Sequence, residues 1–570
     1  MKTFPLSFVL SFLLCIKCIY ANDTLVIKDN LFQIDSINKL ALVNQNIEQM
    51  DLSFPITTIK LNGYYIFKNS IDSLNFGIAY KVENSKKQTF TLYFTQLPII
   101  CLFTNLTIEK ENKVVGNFFM SESNENLTSS VVGIRHRGFF TNMLPKKSYR
   151  VEFWSDSTGE NKSDVSLLNM RNDDDWNLLA MFNEPMKINN KTCFELWEQI
   201  DTLYYQDIES KAVNGSHLEF IELFLNKKYQ GIYALEEPVD RKQLKLKKTK
   251  DSNINGELYK GVDRGASIFI ALPSYNNNSE TWSGFEFKYP DEFIDWANIY
   301  DFVDFVMNID DDTFYKNIEK RFYLKNAVNY FIFINLLRAT DNEGKNIFIA
   351  KYNQDGPYFY VPWDLDGTFG TIWNGMRENV TNDIVTNGFY NRLLRDKRKN
   401  GFCELLTKRW NELRQFIFQK DYLVGLLKNN FYYLDSNGIF EREAIAWKYF
   451  YYFDKTYWDY ANSWIESRLA YLDEVFNNPS LLTSVSQPSE NENEEFYINY
   501  SQESSAIKID LKESTYPFSL KIYNSAGILV FSKDNINSSI IQISNLQAGV
   551  YFAIIYSYNK IKTGKFIVIE

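Results

Sequence analysis

The chain has 570 residues, 45% of them apolar and 23% charged, with a formal net charge of −10. That length exceeds one hydrophobic core, so three or four folding units are expected. The acidic balance argues against a nucleic-acid partner, which needs a basic face to neutralise phosphates. With only two histidines, His136 and His217, a histidine-based metal site or a Ser-His-Asp triad is disfavoured.

Residues 1–21 read as a secretory signal: Lys2, then the apolar stretch "FPLSFVLSFLLCI", then a small residue, Ala21, at a plausible cleavage point. No later apolar run reaches the roughly 18 residues of a membrane span, so an exported, soluble chain is expected. Residues 22–96 alternate apolar and polar positions, as in "KQTFTLYFTQL", which predicts a small β domain. From 97 the pattern mixes strands ("SSVVGIRHRGFF", "KKSYRVEFW", "HLEFIELFLNKKYQGIYAL") with a helix near "NKTCFELWEQI". Helices dominate after about 286. In "RFYLKNAVNYFIFINLLRA", Leu324, Ala327, Val328, Phe331, Ile334 and Leu337 recur at helical spacing and predict one apolar face. The aromatic-rich stretch 446–476 predicts another helical region, read as core rather than as a ligand platform. Residues 477–495, rich in Pro, Ser and Glu, read as a linker. Residues 496–570 return to short strands split by turn signals, as in a small β sandwich. Beyond the signal, Cys101, Cys193 and Cys403 are too far apart for a disulfide framework or a zinc cluster, leaving one bridge or three buried thiols.

The densest chemistry lies in "RATDNEGKNIFIAKYNQDGPYFYVPWDLDGTFG", residues 338–370. A helix delivers the loop "TDNEGKN", "IFIAKY" runs out as a strand, "NQDGP" turns, and "YFYVPWD" returns. Pro362 predicts that the returning strand is an edge. Such a hairpin brings Asp341, Asn346 and Asp364 to one mouth. Carboxylates and an amide oxygen are hard donors, suited to Mg²⁺ or Mn²⁺ rather than zinc. An Asp-x-x-x-x-Asn, a hairpin and an Asp ahead of a Phe-Gly follow the layout of kinases: the first Asp orients the acceptor hydroxyl, and the Asn and last Asp hold metal. The same residues are also compatible with solvated turns. A calcium loop lacks the later acidic ligands and closing Glu it would need.

Residues 97–476 resemble the spore coat protein H (CotH) kinase family. The matching segments, in order, are "LPIICL", "RGFFTNMLPKKSYRVEF", "DDDWNLLAMFNE", "EFIELFLNKKYQGIYALEEPVD", "DNEGKNIFIAKY" and "VPWDLDGTFG". The resemblance implies an α+β fold, with an atypical two-lobed protein-kinase-like domain between small all-β domains. It implies ATP and Mg²⁺ (or Mn²⁺) as cofactors, and phosphoryl transfer to Ser or Thr of a protein substrate. Residue by residue, it makes Asp341 the catalytic Asp and Asn346 and Asp364 the metal ligands, with Asp366 nearby. It makes Lys147 the phosphate-binding lysine, with Lys146 as alternative, and Glu237 its partner acid, with Glu236 second. On the residues alone, Lys146–Lys147 reads rather as an exposed basic pair and Glu236–Glu237 as an acidic helix start. Two departures touch the nucleotide side: Phe139 and Phe140 follow the Arg-Gly where the family has a small polar residue, and "FNEPMKINN" replaces the family's Asp and Arg-Asn pair.

The C-terminal stretch, notably "LQAGVYF" and "GKFIVIE", resembles the sorting domain of type IX secretion substrates. That implies contact with a secretion machinery and release or anchoring at the cell surface. A surface adhesion protein that keeps the fold without turnover is the alternative function.

Overall fold

A computed structural model describes residues 24–482 except 53, 139–140, 251–252 and 449–455, and, from 497 to 568, all but 502–505, 511–516, 525–528, 539, 544–545, 548 and 558–559. The expected signal and most of the expected linker lie outside the described residues, as do Phe139 and Phe140. The fold is mixed α+β, and the chain divides into two compact units between Thr483 and Ser484.

In the first unit, a seven-stranded sheet covers residues 24–94 and packs around Leu25, Ile59, Phe67, Val82 and Leu92. Strand alternation explains this core, since every second residue of a strand faces the same side. The next strands close into a seven-stranded barrel, in the order Leu127–Arg137, Ser148–Trp154, Asp175–Leu179, Lys228–Glu236, Leu218–Leu225, Ile99–Phe103, Val114–Ser121. Its interior is filled by residues such as Ile100, Phe118, Ile134, Phe153, Trp176 and Leu223. Closure depends on the parallel pairing of Ile99–Phe103 with Leu218–Leu225, from far along the chain, a contact that local patterning does not reveal.

A five-stranded sheet follows, ordered Thr281–Trp282, Phe285–Tyr289, Glu257–Gly261, Ile347–Lys351, Tyr358–Pro362. Helices back it, centred on Leu324–Leu337. The expected apolar face of that helix is buried, but so is every other residue except Lys325. Its three asparagines are satisfied by tertiary partners. Asn326 exchanges hydrogen bonds with the Tyr360 backbone (2.7 and 3.0 Å), Asn329 donates to Asp201 (2.9 Å), and Asn335 exchanges bonds with the Val385 backbone (2.8 and 3.0 Å). Each large apolar side chain it buries contributes roughly 1.5–3 kcal/mol, so this helix anchors the loop that follows. It ends at Arg338, whose φ of 51° is left-handed. The Arg338 guanidinium is tied to Asp383 (2.9 and 3.0 Å) and Glu378.

Cys101, Cys193 and Cys403 are buried, free thiols. The second unit holds a three-stranded and a four-stranded antiparallel sheet. They share one apolar cluster that includes Leu520, Ile522, Ile541, Ala553 and Ile555.

Candidate active site

The hairpin is in register Ile347↔Pro362 through Lys351↔Tyr358, and its returning strand is the edge of the sheet. The turn is closed by Gly356 N–H donating to the Asn353 carbonyl at 3.0 Å. Asn346 and Asp364 therefore leave the sheet at the same end. Both are left-handed, with φ of 53° and 52°. For residues other than glycine that conformation costs energy, least for Asn and Asp. Buried Asn342 secures it: its amide donates to the Asn346 carbonyl (2.8 Å) and the Trp363 carbonyl (2.7 Å), tying the two ends of the hairpin together. Tyr330 from the central helix donates to the Asn342 carbonyl at 2.8 Å. At Gly261 a side chain would collide with the Gly344 carbonyl, so only glycine lets the neighbouring strand approach this loop.

Asp341 lies in the short 3-10 turn Thr340–Glu343, 3.7 Å from the Lys345 amine. Asp364 reaches solvent, but protein packs closely around it. Desolvation raises its pKa above the ordinary carboxylate range, with Asp341 adding to the rise and Arg137 and Lys260 opposing it. Asp366 is raised further, by burial first and then by Asp364 and Glu184, against one hydrogen bond from Asn183 at 2.7 Å. Asp364 accepts no hydrogen bond from a described residue. Concentrated negative charge of this kind, without enough protein cations, suits a divalent cation. The three aspartates do not gather three ligand oxygens within 4.8 Å. Among the described residues, the two acidic trios that do, Glu152/Asp174/Asp175 and Asp164/Asp173/Asp174, are already spanned by Lys113, Lys162 and Lys242.

Facing these carboxylates from the barrel are Arg137, at the end of its strand, and Glu236, at the end of another. Glu236 is 1% exposed, takes a hydrogen bond from Asn177 (3.1 Å), and lies 3.7 Å from Arg137. Burial pushes it up to about 7, with Arg137 opposing and Asp364 assisting. Arg137 stacks over Trp363, 5.6 Å from its ring centre, and Lys260 lies over Trp363 and Phe348 at 5.7 and 5.8 Å. Arg137, Lys260, Trp363 and Phe348 line a cleft of about 700 Å³, whose walls also carry Arg135, Arg241, Tyr289 and the acids Asp174, Asp175, Asp240 and Asp291. The site thus sets cations and aromatic faces against a cluster of carboxylates.

Lys147 and Glu237 are not brought together. The Lys147 amine donates to the Asn142 and Leu144 carbonyls, both at 2.6 Å. Burial would raise Glu237, but the His217 ring (3.2 Å) and the Arg171 N–H (2.8 Å) hold it below its ordinary value. Lys146 is fully buried, bonded to Glu443 at 2.6 Å and to the Ile232 carbonyl. Where the family's Asp and Arg-Asn are replaced, Glu184 caps the helix Asn189–Ile200 through the Asn189 N–H (2.8 Å). It is raised to about 7 by burial.

A family model described as CotH kinase protein matches residues 134–472. The chain belongs to that family. The CotH match opens within the strand Leu127–Arg137 and closes within the helix Tyr457–Asn477, so it takes in all the carboxylates above and every lining residue of the cleft except Lys110. A second model, a secretion system C-terminal sorting domain, matches residues 503–570. This CotH protein is therefore exported, either secreted or attached at the cell surface. Among the described residues no helix is long and apolar enough to cross a membrane. The chain is 22% identical, over 295 residues, to the inner spore coat protein H of Bacillus subtilis (strain 168), covering 51% of this chain and 73% of that relative. Arg137 and Lys260 escaped the sequence reading. The signals for them were Arg-Gly at a strand end and the lone lysine of "GELYKG".

Proposed function

We propose that this exported CotH protein transfers the γ-phosphoryl group of ATP to Ser or Thr of a protein substrate, in a reaction that depends on Mg²⁺ or Mn²⁺. The observation that carries this reading is the electrostatic interaction of Asp364 with the cleft cations Arg137 and Lys260 and with the neighbouring carboxylates of Asp341 and Asp366. The barrel and the helix-backed sheet are then two lobes around a nucleotide. Asn346, Asp364 and Asp366 hold the metal, which when bound neutralises charge on the phosphate oxygens. Asp341 orients the acceptor hydroxyl and takes its proton on a carboxylate oxygen. The phosphate-facing role that the family resemblance assigns to Lys147 with Glu237 falls, in this reading, to Arg137 and Lys260 with Glu236. Their positions on rigid strand ends favour in-line alignment with little reorganisation.

The test is phosphate transfer from labelled ATP by the full chain, with Mg²⁺ or Mn²⁺, beside Asp341→Ala and Asp364→Ala. Label on the protein or a generic acceptor, lost in both variants and on chelation, is expected. No label and no metal-dependent ATP binding by calorimetry would overturn the reading. The sorting domain favours a second reading, a surface adhesion protein, because ATP is scarce outside cells. That reading requires Asp364→Ala to leave partner binding unchanged.

A further inference from the structure

The strand Lys228–Glu236 carries a bulge. Its pairing with Leu218–Leu225 slips between Leu223↔Gly231 and Phe224↔Tyr229, leaving Gln230 unpaired. A bulge re-aims the residues beyond it, and this strand ends at Glu236, 3.7 Å from Arg137 in the cleft wall. The bulge is gripped from one side by the helix Ile439–Ala446 and the residue after it. Glu443 accepts the Ile232 N–H at 2.9 Å, and the Trp447 indole donates to the Gln230 carbonyl at 2.8 Å. Lys146 completes the grip, donating to both the Ile232 carbonyl (2.5 Å) and Glu443 (2.6 Å). Gly231 has a φ of 87°, and a side chain there would strike the Glu443 carboxylate, so the fit is specific to this pair.

The N-terminal sheet grips from the other side. Asp35 accepts the Tyr229 N–H at 2.9 Å, immediately before the bulge. The same sheet seats the helix. Gln96 N–H donates to Asn437 at 2.7 Å, and the backbones of Gly77 and Gly438 touch so closely that neither tolerates a side chain. Thr95 donates to Glu222 at 2.7 Å, which in turn holds Arg442 at 2.6 and 2.8 Å.

We propose that the N-terminal sheet and the helix Ile439–Ala446 form a clamp on this bulge, and that Glu443 is a positioning residue for the cleft, setting where Glu236 and its partner Arg137 face Asp364. This rests on the kinase reading for its effect on ATP, but not for its effect on the strand. Glu443→Gln in the full chain keeps the shape and removes the charge. It is expected to fold cooperatively, with amides 231–237 exchanging about tenfold or more faster by hydrogen-exchange mass spectrometry, while helix Tyr457–Asn477 is unchanged. The KM for ATP should rise several-fold, roughly, with kcat within about threefold. Asp35→Asn should shift both readouts the same way. The double variant should fall short of the product of the two single effects, as residues sharing one element do.

Unchanged exchange at 231–237 in folded Glu443→Gln overturns the clamp. Faster exchange with an unchanged KM overturns its link to the cleft. If Glu443→Gln does not fold, Trp447→Phe, which deletes a single hydrogen bond to the bulge, carries the same exchange test. Wild-type chain that binds no ATP would sink the kinase reading, and exchange alone would then decide the clamp.

Discussion

Ile347 and Pro362 are paired partners at the open end of an edge hairpin, and this one register match determines which side chains meet at the carboxylate cluster. Slipping it by one residue would turn the whole returning strand over. The Asn342 amide, bonded to both the Asn346 and the Trp363 carbonyls, locks it.

The left-handed backbone at Asn346 is maintained against its own preference. Asn346→Gly should therefore leave the metal-free protein as stable as wild type, or up to about 1 kcal/mol more stable. Phosphoryl transfer should fall by roughly tenfold or more, because the amide oxygen is gone. Thermal melting in chelator, beside the labelled-phosphate assay, checks both; a destabilised variant would contradict the strain.

Arg137→Ala is expected to raise the KM for ATP by about 10- to 100-fold, and Lys147→Ala by less than about threefold. Lys147→Ala should instead cost about 1 kcal/mol of stability, from its two lost bonds to backbone carbonyls. Arg137→Lys should restore binding only in part, since an ammonium cannot reproduce the planar fork. Steady-state kinetics and urea melts on the three variants distinguish the outcomes.

Glu236, raised to about 7, keeps its proton in the folded chain at pH values where the unfolded chain has lost it. The native state then binds more protons, so its stability contribution is full below the unfolded value and is lost as pH rises toward 7. In chelator, Glu236→Gln should gain on wild type in melting temperature between about pH 4.5 and 7 and run parallel above. A gap that stays constant over that window would overturn the upward shift.

Arg442 and Glu222 form an ion pair with neither side chain exposed. Arg442→Met leaves the carboxylate buried without its cation and should cost about 3–5 kcal/mol. The double change Arg442→Met/Glu222→Leu should recover much of that loss, because the desolvation penalty leaves with the charges. Urea unfolding of single and double variants measures the recovery.

The hairpin was legible because its causes are local: an Asp-Gly turn, strands of matching length and a proline at the edge. The central helix was legible as a helix but not as a fully buried one. Asn326, Asn329 and Asn335 are polar residues whose burial local patterning does not reveal, because Tyr360, Asp201 and Val385 arrive from elsewhere in the chain to satisfy them. The acid facing Arg137 was harder still. Glu236 and Glu237 are neighbours, and neighbours on an extended chain point to opposite sides. Only the pairing of Glu236 with Asn177 across the barrel settles which one turns toward Asp364. Arg137 was hidden for the same reason, since barrel closure brings its strand end to the sheet.

The three unpaired thiols have a practical consequence. Cys101 lies where the barrel meets the N-terminal sheet, Cys193 in the main helical core, and Cys403 on the helix Phe402–Arg414. None of these three takes part in a cross-link, so the fold of the described residues owes nothing to the oxidising power of the space the chain is exported into, and reductant should leave its melting unchanged. Each thiol is also a native reporter. A labelling reagent reaches it only when its own region opens, so three modification rates would map the order in which the protein comes apart.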